Sequence, residues 1–405
     1  MTTVTPRRRS AAGASVITSL IAILAALPTA RAADPPMDHS CPRAESLVPS
    51  THWNKHTLAP GVRLYEGSTS DKGGRGRVKM HVLRVDLTRR QVSVRPLMRS
   101  VAARAPLTAL TRGHKHLIVA VNTGYYDFVT GAPTQPLIIE GRPLVISARP
   151  QRVVGFDTDG KAQSGSVQLS ATLTIDATSH KIAGINTIDS HGIVIFDASW
   201  GATPIPTAPS SVARSVVGRR LGNVAPQSAG VATPAEGYEL VAHRRTAAWL
   251  AQQPPGTPVR VSSKVVSSAA EPFVQAYGVG TAIVVNGTGR TGLACSSAGT
   301  KQPARTAIGI ADHGSTLVIG EVEDHPGTKL HGLDEDQMGK FMEQLGVDEA
   351  YDLDGSGSTE LLARMPGTSK LTMRTYPADG KERPMPVGLG ISYRAPRHST
   401  GHNAI

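Results

Sequence analysis

Between residues 305 and 360 the sequence sets out strand, strand, helix and strand in a fixed order, and this order narrows the possible folds more than any bulk property. Residues 307–310 and 316–322 are apolar runs of strand length. A helix follows. Asp334 ahead of Glu335-Asp336-Gln337 has the pattern of a capping box, and Leu333, Met338, Phe341, Met342 and Leu345 recur at helical spacing until Gly346 ends it. Core packing is the expected role of its Met and Phe side chains. The helix leads into residues 347–354, which close on Asp352-Leu353-Asp354 and break at once into Gly355-Ser356-Gly357-Ser358-Thr359, before residues 360–365 resume.

Upstream the chain is also rich in strand patterns. Residues 78–87 alternate, with Val78, Met80 and Val82 set against Lys79 and His81, and residues 92–97 follow after a turn. Residues 105–112 predict a short helix, and 116–122 an apolar strand ending in Asn122-Thr123-Gly124-Tyr125-Tyr126-Asp127. Residues 136–140 and 143–147 read as a hairpin with Gly141 supplying positive φ. Further strands are expected at 153–157, 167–175, 181–186, 192–196 and 281–286, and a short helix at 245–253 stopped by Pro254-Pro255. The Pro/Ala/Ser-rich residues 202–211 are the best hinge if there are two lobes.

Residues 1–32 read as a secretory signal: Arg7-Arg8-Arg9, an apolar run over 16–27, and Ala30-Arg31-Ala32 as a small-x-small cleavage site. That apolar run is too short for a membrane span, so a secreted protein without stable membrane insertion is expected. Residues 33–76 read as an irregular extension and 396–405 as a flexible tail. The formal charge of +12 loses four arginines with the leader, and the remaining +8 favours anionic partners. Aromatic and basic residues are not interleaved as nucleic-acid binding would require. Cys41 and Cys295 both survive cleavage, and in an oxidising compartment they are expected to form a disulfide.

The chemistry concentrates at Asp352 and Asp354. In an extended chain the two acids share a face with Cα atoms about 6 to 7 Å apart, and their repulsion raises the pKa of one. They could divide acid and base roles, cap the next turn, or supply hard oxygens with Ser358 to a divalent cation. Gly355 and Gly357 can adopt positive φ and turn N–H groups into an anion-receiving nest, with Ser358 and Thr359 adding hydroxyls. Arg305 can clamp phosphate through two parallel hydrogen bonds. Asn122, with Tyr126 nearby, could offer an amide and a ring face to a sugar. Glu323, Asp324 and His325 form a further polar cluster, readable as a turn salt-bridge set or as function.

Four blocks resemble the phosphodiester glycosidase family in the right order: residues 122–127 with Gly131-Ala132-Pro133, residues 185–201, residues 305–309, and residues 352–359. The closing Glu382-Arg383-Pro384 is also similar to the family's. One animal member removes N-acetylglucosamine from the phosphate of mannose-6-phosphate glycans. The resemblance implies an α+β domain over residues 77–395, built of strand-rich mixed or antiparallel sheets flanked by a few helices, and the strand-heavy pattern above agrees.

The resemblance also implies hydrolysis of a sugar-1-phosphodiester, and so a glycosyl phosphodiester as partner; export and positive charge add a phosphate-bearing cell-envelope glycan, and no cofactor is expected unless a divalent cation lies near Asp352 and Asp354. The resemblance implicates Arg305, Thr306, Asp354, Gly355, Gly357, Ser358 and Asn122 in the pocket; taken with the residue patterns above, Asp354, Asp352 and Arg305 are expected in catalysis, and Asn122, Gly124, Tyr126, Asp127, Thr306, Gly355, Ser356, Gly357, Ser358 and Thr359 in substrate binding. Two positions depart from the family: Ser356 stands at the middle glycine of a triplet, and Asp352 where relatives often have Asn. A sugar-phosphate binding protein on the same scaffold and a metal-dependent phosphoesterase are the alternatives.

Overall fold

The computed structural model describes residues 52–70, 76–188, 191–225, 231–294 and 302–396. The expected signal over residues 1–32, the expected tail over residues 397–405 and the expected Cys41–Cys295 pairing lie outside these residues. All described residues belong to one compact unit.

Three sheets of eight, eleven and five strands make the fold. In the eight-stranded sheet, Arg77–Asp86, Thr316–Val322, Arg305–Ala311 and Glu349–Asp352 lie side by side, each antiparallel to the next. The helix Glu335–Gln344 covers one face of this sheet, packing Met338, Phe341 and Met342 on Val78, Met80, Ala307 and Val318. Its capping box is complete: Asp334 accepts from the Gln337 N–H, and the Gln337 side chain accepts from the Asp334 N–H. The five-stranded sheet centres on Leu117–Asn122, flanked by Leu361–Ala363 and Val387–Tyr393. A large apolar cluster joins residues from all three sheets, including Leu83, Ile308, Val121, Val154 and Leu389. The eleven-stranded sheet is mixed, because Thr178–Ile185 runs parallel to Ile193–Asp197. The fold is α+β and strand-rich, as expected. Among the described residues no helix is long and apolar enough to cross a membrane.

Two expectations need correction. Residues 52–70 are not irregular but form a hairpin, His52–Ala59 with Val62–Ser70, at the edge of the eight-stranded sheet. Its outer strand reads His-Trp-Asn-Lys-His-Thr and is largely exposed, so it carries no alternation to find, whereas Val62 and Leu64 of the inner strand are buried. Nor are residues 202–211 a hinge. Ile205 is buried and its N–H donates to Val231 O at 2.7 Å, and Ser211 already begins the strand Ser211–Val217.

Candidate active site

Antiparallel pairing brings distant residues together. Ala307 sits opposite Asp352, so the start of Arg305–Ala311 and the end of Glu349–Asp352 meet at one end of their sheet. The chain then crosses to the five-stranded sheet, where Leu361 pairs with Val121. Residues 353–360 therefore bridge the two sheets beside Asn122. Backbone bonds fix the bridge: Leu353 N–H to Thr306 O (2.9 Å), Asp354 N–H to Thr123 O (3.1 Å) and Ser356 N–H to Ala304 O (2.7 Å).

Asn122 is the knot of this crossing. It is 1% exposed. Its Nδ2 donates to Asp354 O at 2.6 Å, while its Oδ1 accepts from the Thr306 hydroxyl at 2.9 Å and from the Glu360 N–H at 3.3 Å. The amide expected to meet a sugar is thus spent inside the protein, and what it does is hold Asp354 and Thr306 in place. Thr306 and Thr359 are likewise buried, their hydroxyls 3.4 Å apart.

The two acids face different partners. Asp352, 4% exposed, accepts from the Tyr125 hydroxyl at 2.7 Å and lies 3.7 Å from the Arg305 guanidinium. Burial lifts its pKa to about 6, against the opposing pull of Arg305 and Tyr125. Burial and the Asp352 charge push the Tyr125 phenol up as well. Asp354 is bonded by the Ser358 hydroxyl and faces Arg383, yet burial still raises its pKa. Arg305 uses Nε on Leu333 O at 2.6 Å, and its Nη1 lies 3.7 Å from both Asp352 and Glu335, too far for hydrogen bonds. Arg383 grips Asp379 through Nε and Nη2 (2.8 and 3.0 Å) and reaches the Ser358 hydroxyl through Nη1 at 3.3 Å.

The glycine turn departs from expectation. Neither Gly355 nor Gly357 has positive φ; the left-handed residue is Ser356, at φ 53°. The glycines are there for close approach. A Cβ on Gly355 would lie 2.7 Å from Ala304 O, and one on Gly357 would collide with Asp379 and Arg383. The N–H groups of Asp354, Ser356, Ser358 and Thr359 already donate to backbone carbonyls, so the expected anion nest is largely used up by the fold. Ser356 bears a strain that glycine at this position would relieve. Ser356→Gly should therefore be more stable than Ser356→Ala by about 1 kcal/mol, read as the difference in denaturant midpoints.

Of the remaining expected ligands, Gly124 has no room for a side chain, since a Cβ would sit 2.6 Å from Gln135 Oε1 and from Gly278 O. The Asp127 carboxylate caps its own loop, accepting from Val129 N–H (3.0 Å), Thr130 N–H (2.7 Å) and the Thr130 hydroxyl (2.9 Å). These contacts, the Thr130 N–H foremost, hold its pKa below the usual range. Both positions shape the site without facing it. Tyr126 is buried, with its ring packed against Phe128, and burial foremost, then the Asp354 charge, raises the pKa of its phenol. Sequence reasoning left out Tyr125, Glu335 and Arg383. Tyr125 lay within a recognised block and Arg383 within the closing one, while Glu335 had been read only as part of a helix start.

Behind the site a polar row crosses the sheet. Thr306 pairs with Glu321, Glu321 with His81, and His81 with Glu66, so all four share a face. Glu323 forms an ion pair with Lys79 Nζ (2.7 Å) and contacts His81 Nε2 (2.6 Å) and His325 Nε2 (2.6 Å), so the Glu323–His325 cluster is bonded within the protein.

The sequence profile of the phosphodiester glycosidase family matches residues 212–392. No protein of curated function matches the chain. Among solved structures, a "hypothetical protein from Synechocystis" superposes with a TM-score of 0.70 at 18% identity, over 85% of this chain and 64% of that one. A Burkholderia pseudomallei K96243 "Putative exported protein" gives a TM-score of 0.70 at 16% identity, over 89% of this chain and 100% of that one. The catalytic domain of zebrafish N-acetylglucosamine-1-phosphodiester alpha-N-acetylglucosaminidase, auto-inhibited by its pro-peptide, matches at a TM-score of 0.45 and 16% identity, over 87% of each chain. The first two likenesses speak to the fold, and the profile match covers the Arg305, Asp352–Thr359 and Arg383 segments. Over residues 212–392, less than half of its length, this chain is similar to the phosphodiester glycosidase family.

Proposed function

We propose that the protein is an exported hydrolase that cleaves the anomeric C–O bond of a sugar-1-phosphodiester, releasing the sugar and a phosphomonoester. The observation that carries this reading is the placement of two guanidiniums, Arg305 and Arg383, around the Asp352–Asp354 pair. A phosphomonoester is already a good leaving group, so catalysis needs stabilised negative charge more than a proton. Arg305 is suited to supply it: buried, and joined to its two carboxylates only at 3.7 Å, it can close on phosphate oxygens. Arg383 and Ser358 serve the same oxygens from the other side. Asp354 activates water or stabilises the oxocarbenium-like transition state, and Asp352 supports it as a carboxylate. The Arg305 guanidinium beside Asp352 opposes a divalent cation there, so turnover is expected to persist in chelator. Export rests on the leader-like features of residues 1–32, and phosphodiester-bearing cell-envelope glycans are the proposed substrate class.

The test is release of reducing sugar from a panel of glycosyl phosphodiesters, followed across pH. Asp352 must lose its proton to act, so kcat/KM is expected to fall about tenfold per unit as pH drops below about 6. Tyr125→Phe removes a hydroxyl that favours the carboxylate, and should move this acidic limb to higher pH. A limb near pH 4, unmoved by Tyr125→Phe, would remove Asp352 from the mechanism.

A further inference from the structure

Beside the acids stands a ring that core packing does not explain. Phe128 is 63% exposed and Val129 88%, the most exposed large apolar side chains among the described residues. The loop that presents them is nonetheless pinned. Asp127 Oδ1 accepts from the N–H groups of Val129 and Thr130, Arg104 Nη1 donates to Phe128 O at 3.1 Å, and Gly131 N–H donates to Asp127 O at 2.8 Å. The Phe128 ring centroid lies 5.0 Å from that of Tyr126, tilted by 54°, and 5.8 Å from the Arg383 guanidinium carbon. Arg383 in turn touches Ser358, the hydroxyl bonded to Asp354.

We infer that Phe128 is a stacking platform for the pyranose ring of the substrate and so a specificity-determining residue; this rests on the phosphodiester glycosidase reading above. A ligand that covers this ring must be apolar on one face and polar at its edge, because Arg383 and Ser358 lie alongside. A pyranose has that form: its C–H face covers the phenyl ring, while its hydroxyls and anomeric phosphate reach the guanidinium and the acids. An acyl chain would cover the ring but offer no polar group to the Arg383 and Ser358 edge beside it. The loop's internal hydrogen bonds hold the ring ready before the substrate arrives, which reduces the ordering cost of binding.

The experiment compares wild type, Phe128→Ala and Phe128→Trp in two assays: kinetics on glycosyl phosphodiesters, and saturation-transfer NMR with the corresponding sugar 1-phosphates. Phe128→Ala is expected to raise KM about tenfold with kcat nearly unchanged, to lose saturation of the sugar C–H protons, and to keep the wild-type melting temperature. Phe128→Trp should restore KM and the C–H signals. Unchanged KM and C–H signals in Phe128→Ala, in an active wild type, would overturn the platform and leave the hydrolase standing. No turnover in wild type, together with sugar-phosphate binding that depends on Phe128, would overturn the hydrolase and keep the platform. Neither turnover nor binding would overturn both.

Discussion

Asparagine at position 354 is expected to lower kcat on a glycosyl phosphodiester by about 10³-fold, the scale of a lost catalytic carboxylate, while leaving the protein no less stable. The two halves of this result follow from the same environment. Asp354 sits in a bridge between sheets where burial already disfavours its charge, so its ionised form is held at a cost to the fold. Asparagine keeps the shape and one acceptor oxygen for the Ser358 hydroxyl but cannot take a proton from water or offset a developing oxocarbenium ion. Turnover together with the thermal midpoint makes the check. Wild-type turnover in Asp354→Asn would remove the residue from the chemistry, and a large drop in stability would show that its charge supports the fold.

Alanine at position 122 should do the opposite and destabilise first. Removing the amide leaves the Asp354 carbonyl, the Thr306 hydroxyl and the Glu360 N–H without their side-chain partner inside the protein. At about 1 to 3 kcal/mol for each buried group left unsatisfied, partly relieved by relaxation, the loss is roughly 3 to 5 kcal/mol. Activity should fall with it, because the amide fixes the backbone that carries Asp354. Denaturant unfolding measures the loss. If Asn122→Ala unfolds at the wild-type midpoint but raises KM steeply, the amide faces substrate after all.

These contrasts show which parts of the site were legible in the sequence. The helix Glu335–Gln344 was readable because its cap and its apolar spacing are both local. The hairpin at residues 137–147 was readable through Gly141, although Glu140 also takes positive φ, at 51°. Convergence of Arg305 with Asp352 and Asp354 could be expected from the order of strands. Roles within the cluster could not, because an asparagine at a strand end reads the same whether its amide faces a sugar or ties two sheets together. Gly355 and Gly357 read as conformational freedom but answer to crowding, which depends on Ala304 and Asp379, residues distant in sequence. Arg383 is part of the site because the segment following Leu361–Ala363 folds back onto Ser358, and no local pattern encodes that return.

The central claim is that water attacks the sugar carbon while Arg305 and Arg383 hold the departing phosphate. Hydrolysis of a glycosyl phosphodiester in oxygen-18 water, followed by mass analysis of both products, tests it most directly. The account predicts the heavy oxygen on the anomeric hydroxyl of the released sugar and none in the phosphomonoester. Heavy oxygen in the phosphate would mean that the P–O bond breaks, and would contradict it.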